Sequence, residues 1–299
     1  MTKKTSQESF VISAVCTMLE NDESLCIEGM EAHLEDQWQA GIQGLLVAGS
    51  MGLMQLLTDR TYRQLIEHSL RISAGRGEIM IGVGDAGFMR TKERIETVNR
   101  YDVDGVVVVT PYLFKFKPEE LVDYYRSLAD VSRHPLYLYD LPGLTGVKLD
   151  FETVERVSDH PNIHGIKASC DPDWTRELRR RMGDRFRIII AQPRIMETLF
   201  KEGIYEHLDG IFSIAPVWTM ELVRAANAGD WERAAKHQLR MNRLLDLVVQ
   251  RGVQPCCTAI LNARGIPGRY GTAPFRQYDA ATRDMVLAEP IIRELLDKV

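Results

Sequence analysis

Tyr139 and Lys167 each close an apolar run, Leu136-Tyr137-Leu138 in the first case and Ile163-His164-Gly165-Ile166 in the second. Their separation, 167 minus 139, is 28 residues, close to one strand-helix-strand unit. The pair can therefore stand on neighbouring parallel strands, phenol beside amine at one rim of a sheet. Lysine is almost never fully buried unless a partner or a task holds it there. An amine held against apolar walls loses its proton more easily, and a neutral lysine attacks a carbonyl to form a Schiff base. The competing reading of position alone is a surface lysine with its head in water. A second feature, Gly49-Ser50-Met51-Gly52, follows the apolar run Gln43 to Ala48. Two glycines bracketing a hydroxyl let backbone amides point at a ligand, although the same pattern is common in ordinary turns.

These residues need a scaffold, and the surrounding pattern supplies one. Apolar runs at 10–14, 43–48, 78–84, 104–110, 136–139, 163–167, 186–190 and 208–213 read as eight strands. The run Asp104 to Thr110, nearly all valine, belongs to a strand covered on both faces. Between the strands lie segments of helical periodicity. Ile27 to Ala40 places Met30, Leu34 and Trp38 on one side and stops at Gly41; others run from Thr58 or Asp59 to Ala74, over Thr91 to Tyr101, from Pro118, from Asp150 to Ser158, over Trp174 to Met182 and over Ile195 to Glu202. Strict alternation implies a parallel sheet, and eight units close into a (β/α)8 TIM barrel, here expected over residues 1–219. In that architecture chemistry sits at the C-terminal rim, and Ser50, Tyr112, Tyr139, Lys167 and Ser213 all fall at or just past expected strand ends. From Met220 onward the pattern is helix after helix: Met220 to Ala228, Asp230 to Arg251, Pro255 to Ala263 and Ala280 to Lys298, with Arg264 to Phe275 irregular. Residues 220–299 are thus expected to form a C-terminal helical extension.

Hydrophobic residues make up 45% and charged residues 26% of the 299, enough apolar material for a large core. The net charge of −5 carries no basic excess, which argues against nucleic acid or an anionic membrane as partner. Five cysteines without regular spacing (Cys16, Cys26, Cys170, Cys256, Cys257) suggest free thiols in a reducing compartment and no zinc site. Met1 to Ser9 is polar, and no run approaches the roughly 18 apolar residues of a membrane span. The expectation is a cytoplasmic protein acting on a small molecule.

Four motifs bring these residues together: AGSMG at 48–52, VVTPY at 108–112, YLYDLPGLTGVKL at 137–149 and GIKAS at 165–169. In this order, at strand ends, the chain resembles the dihydrodipicolinate synthase and N-acetylneuraminate lyase family of class I aldolases along nearly its whole length. That resemblance implies a barrel followed by three C-terminal helices, assembled as a homotetramer. It implies that Lys167 forms the Schiff base with the keto group of pyruvate or another 2-oxo acid, that Tyr139 shuttles the proton, and that Ser50 belongs to the proton relay. The amides of Ser50 and Met51 would hold the substrate carboxylate, with Tyr112, Leu144, Gln192 and Ser213 completing the substrate site. No metal or cofactor is required, because the protonated imine is the electron sink.

The departures from the family pattern direct the choice of substrate. Leu144 stands where the synthase branch carries an arginine that grips a second carboxylate, and LPGLTGVKL is more like the lyase and 2-keto-3-deoxy sugar acid aldolase side. Leu53, Met51 and Leu113 replace a glutamate, a threonine and a tyrosine, and Gln192-Pro193-Arg194 stands where sialic acid lyases have a Gly-Tyr-Asp-like run. The reading is a Schiff-base lyase joining or splitting pyruvate, or a related 2-oxo acid, and an aldehyde. Leu53, Leu113 and Leu144 would surround the second substrate with apolar surface, suiting a less polar aldehyde or a deoxy sugar acid. The alternatives are a 2-keto-3-deoxy acid dehydratase using the same imine, and a non-catalytic paralogue that binds a 2-oxo acid.

Overall fold

The computed structural model describes residues 9–297. Valine-rich and isoleucine-rich runs, covered on both faces, form eight parallel strands: β1 (Phe10–Ala14), β2 (Gly44–Val47), β3 (Glu78–Gly82), β4 (Gly105–Val109), β5 (Leu136–Asp140), β6 (Ile163–Ala168), β7 (Arg187–Ile190) and β8 (Glu206–Asp209). Each strand pairs with the next, and β8 returns to β1 with Phe10 opposite Glu206 and Ser13 opposite Asp209, so the sheet closes into the expected (β/α)8 barrel. At the N-terminal end of the strands Arg187 on β7 donates to Glu78 of β3, 2.8 Å away, and also pairs with Glu206 of β8. This ties three strand starts together at the face opposite the chemistry.

The outer helices begin and end where local chemistry allows. These are α1 (Ile27–Ala40), α2 (Asp59–Ser73), α3 (Phe88–Val98), α4 (Pro118–Val131), α5 (Phe151–Ser158), α6 (Pro172–Met182), α7 (Met196–Lys201) and α8 (Pro216–Asn227). Gly41 ends α1 at φ 93°, a conformation open to glycine. Thr58 accepts from the Thr61 amide at the start of α2, and Asp150 accepts from the Thr153 amide at 2.7 Å at the start of α5. After the barrel come α9 (Trp231–Arg251), α10 (Val253–Ala263), α11 (Ala280–Leu287) and α12 (Pro290–Leu296). Gly252 joins α9 to α10 at φ 95°, where an L side chain is strained.

Three expectations need correction. The eighth strand is Glu206–Asp209 rather than 208–213: the chain leaves the sheet at Gly210, and Ile211–Ile214 forms one helical turn. That stretch is buried all round, and a short apolar run does not distinguish a strand from a buried helix turn. Met18–Leu19 pairs antiparallel with Arg269–Tyr270, stitching the start of the barrel to the segment expected to be irregular; two-residue strands are too short to show a period. The last expected helix is two, broken at Glu289-Pro290, where proline ends one helix and starts the next. Its expected end at Lys298 lies outside the described residues. No helix among the described residues is long and apolar enough to cross a membrane.

Candidate active site

Parallel pairing of β5 and β6 sets Tyr139 directly opposite Lys167. Side chains alternate along a strand, so two directly paired residues leave the sheet on the same face, here into the barrel mouth. The lysine is 3% exposed, and its Nζ lies over the Tyr139 ring, 4.0 Å from the centroid. An ammonium in that place is held by the ring's negative face, and a neutral amine by packing. The Tyr139 hydroxyl is 3.0 Å from Ser50 Oγ, so a proton can pass between phenol and alcohol. Lys167, Tyr139 and Ser50 thus form one contiguous group drawn from the ends of three strands.

The turn carrying Ser50 is a strained piece of backbone. Ala48 and Leu53 on either side of Gly49-Ser50-Met51-Gly52 both have left-handed φ, 52° and 60°. The structure over-determines the strain: Thr17 Oγ1 donates to the Gly52 carbonyl at 2.7 Å, and the Ala48 carbonyl presses on Gly82, where an added Cβ would lie 2.1 Å from it. Neither the Ser50 nor the Met51 amide donates to another backbone carbonyl among the described residues, which leaves two N–H groups at the cavity rim. Met51 Sδ accepts from the Tyr270 hydroxyl at 3.3 Å.

A cavity of about 410 Å3 opens beyond the lysine, and Ser50, Met51, Tyr139, Leu144 and Lys167 all line it. Leu144 sits at the outer edge, 76% exposed, on the one-turn helix Pro142–Thr145. That turn is fixed by Thr110 Oγ1 donating to Thr145 Oγ1 at 2.9 Å, and by Asp140, which is fully buried and accepts from the Leu149 amide and Lys148.

The other sequence-selected residues stand around this wall rather than in it. Tyr112 faces Asp85 and Ala86, and burial followed by the Asp85 charge raises its phenol above the usual range. Gln192 donates to the Cys170 carbonyl. Ser213 is fully buried in the helical turn after β8, where its Oγ accepts from the Cys16 amide at 3.0 Å and meets His33 Nε2 at 2.8 Å. Leu53 and Leu113 do not supply apolar lining either: Leu53 is buried under the turn, and Leu113 points outward, 78% exposed.

Sequence reasoning missed two sets of wall residues. Asp209, the last residue of β8, accepts from the Ile211 amide at 3.0 Å; burial raises its carboxyl, while that hydrogen bond and the charge of Lys167 oppose the rise. A correct end for the eighth strand would have exposed it. Leu245, Val248, Val253 and Gln254 close the far side from α9 and α10. Their apolar spacing reads equally well as core, and no local signal separates the two. Cys257 also reaches the wall, with the buried Cys16 as its neighbour. Burial would raise the Cys16 thiol, but the neighbouring Cys257 thiol and His33 imidazole hold it below the usual thiol range.

The sequence and the fold have counterparts among known proteins. A 4-hydroxy-tetrahydrodipicolinate synthase of Exiguobacterium sibiricum is 30% identical over 227 residues, 76% of this chain and 78% of that one. An N-acetylneuraminate lyase of Citrobacter koseri is 26% identical over 253 residues, 81% and 82% of the two chains. In fold, the chain resembles the solved N-acetylneuraminate lyase of Proteus mirabilis (TM-score 0.88, 20% identity, 96% of this chain and 98% of that one). It also resembles a prophage protein of the dihydrodipicolinic acid synthase family from E. coli K12, solved in complex with pyruvate (TM-score 0.87, 23% identity, 96% and 98%). The family model described as Dihydrodipicolinate synthetase family matches residues 7–289, and by this match the chain belongs to that family.

Proposed function

We propose that this protein is a Schiff-base-dependent lyase that makes or breaks a carbon–carbon bond between pyruvate, or a related 2-oxo acid, and an aldehyde. The observation that carries the reading is the buried Lys167 amine lying against Tyr139, whose hydroxyl meets Ser50. In the forward direction the Lys167 nitrogen attacks the keto carbon of pyruvate, and loss of water leaves an imine. As water leaves, the Tyr139 phenol gives up its proton, and the phenolate then takes a methyl proton from the protonated imine, leaving an enamine whose terminal carbon attacks the aldehyde. Tyr139 returns that proton to the new alkoxide, and Ser50 relays protons to and from the phenol. Water then releases the product and frees the amine. The free amides of Ser50 and Met51 hold the 2-oxo acid's carboxylate, and Leu144 borders the aldehyde half. Relatives named as synthases and lyases support the coarse reaction class, and the family member solved with pyruvate supports the donor.

The direct test is borohydride trapping with pyruvate, read by intact mass. The wild type should gain the mass of the reduced pyruvate adduct and Lys167→Ala should gain none; equal gain on both would remove Lys167 from this role. Two further parts of the reading concern setting. The protein acts in the cytoplasm, supported by five cysteines, all buried as free thiols. It works as a homotetramer, supported by Leu113 and Phe114, 78% and 74% exposed side by side, with Leu113 held at φ 82°.

A further inference from the structure

The far half of the cavity carries a conclusion about the second substrate, which rests on the imine reading above. We propose that the aldehyde is uncharged and has an apolar body, aryl or branched alkyl, seated against the C-terminal helices. Most polar side chains of the wall gather at the strand ends: Ser50, Tyr139, Ser169 and Asp209 stand with Lys167, where the 2-oxo acid reacts. Beyond them the wall changes character. Leu144 closes one side from the Pro142–Thr145 turn, and Leu245, Val248 and Val253 close the other from α9 and α10 on either side of Gly252. Tyr270, with its hydroxyl engaged on Met51, brings an aromatic ring rather than a free donor.

Charge points the same way. Among the lining residues Lys167 is the sole cation, and it is consumed by the imine; the sole acid is Asp209. An aldehyde bearing a carboxylate would enter a wall with no second cation to meet it and a carboxyl already present, and burying an unpaired charge is strongly unfavourable. A polyhydroxylated aldehyde would find Gln254 as the single side-chain amide among leucines and valines, leaving most of its hydroxyls without partners. An apolar body loses nothing on entering and covers Leu144, which is otherwise open to water.

The test compares benzaldehyde, glyceraldehyde and glyoxylate as acceptors with saturating pyruvate, alongside borohydride trapping of pyruvate. The wild type should show a kcat/KM for benzaldehyde at least about 10-fold above either of the others, the discrimination a hydrophobic pocket readily achieves. Leu144→Arg, at an exposed position where a long side chain fits without repacking, should narrow or reverse the benzaldehyde-to-glyoxylate ratio. Val248→Thr, which keeps the shape of the wall, should lower the benzaldehyde rate. Pyruvate trapped on the wild type with glyceraldehyde or glyoxylate preferred would overturn this proposal and leave the imine reading intact. Absence of trapping on the wild type would overturn both.

Discussion

At the scale of the residue, the site is a three-part contact: amine over ring, phenol to alcohol, alcohol on a strained turn. Tyr139 is the member whose two possible duties can be separated. Its ring packs on Lys167 and its hydroxyl meets Ser50 at 3.0 Å, so Tyr139→Phe keeps the first contact and deletes the second. The variant should still be trapped by pyruvate and borohydride, while carbon–carbon turnover falls by roughly 100-fold or more, the usual worth of a positioned proton donor. Unchanged turnover would take the proton-transfer role away from this phenol. That Lys167, Tyr139 and Ser50 stand near strand ends was legible from sequence, because each lies in or just past an apolar run with a plain strand pattern. Tyr112, Gln192 and Ser213 satisfy the same rule of position, yet their side chains turn to Asp85, the Cys170 carbonyl and His33. Proximity to a strand end fixes where a Cα stands; partners elsewhere decide where the side chain goes.

At the scale of the element, β8 closes the barrel, and it does so with a histidine. His207 is fully buried, paired in register with Val11 of β1 and Ile190 of β7, edge-on to Phe200 at 4.6 Å, with Nε2 3.1 Å from the Ile204 carbonyl. Burial depresses its pKa to about 4, only partly offset by that carbonyl. The unfolded chain therefore binds this proton more readily than the folded one. The corresponding stability is complete above the ordinary histidine range and is lost as pH falls from there toward 4. A shift of this size corresponds to about 3 kcal/mol as an order of magnitude. Thermal melts should show a steep fall in Tm across that window, shallower in His207→Gln; parallel curves for the two proteins would acquit the histidine. Helix limits such as Gly41 and Asp150 were readable because a cap is a local event. The end of β8 and the Met18–Leu19 pairing were not, since burial on every side erases the period and a two-residue strand never establishes one.

At the scale of the whole molecule, the barrel mouth is bordered by outward-facing apolar residues, Leu113 and Phe114 after β4 and Leu144 after β5. If the homotetramer forms, light scattering should give the mass of four chains, and Leu113→Asp together with Phe114→Asp should lower it. A single-chain mass for the wild type would refute the assembly. The eightfold alternation made the closed sheet visible in the sequence, and the helices after it could be counted with one division missed. What could not be read was that those later helices supply one wall of the cavity, because their apolar spacing reads equally well as core. That separation of labour has an evolutionary reading. On the proposed reading, the half of the pocket that performs bond chemistry and the half that selects a partner for it are encoded in distant stretches of the gene, the barrel strands and the helices on either side of Gly252. Drift in the later stretch can therefore retarget the catalyst while its reactive centre is inherited unchanged.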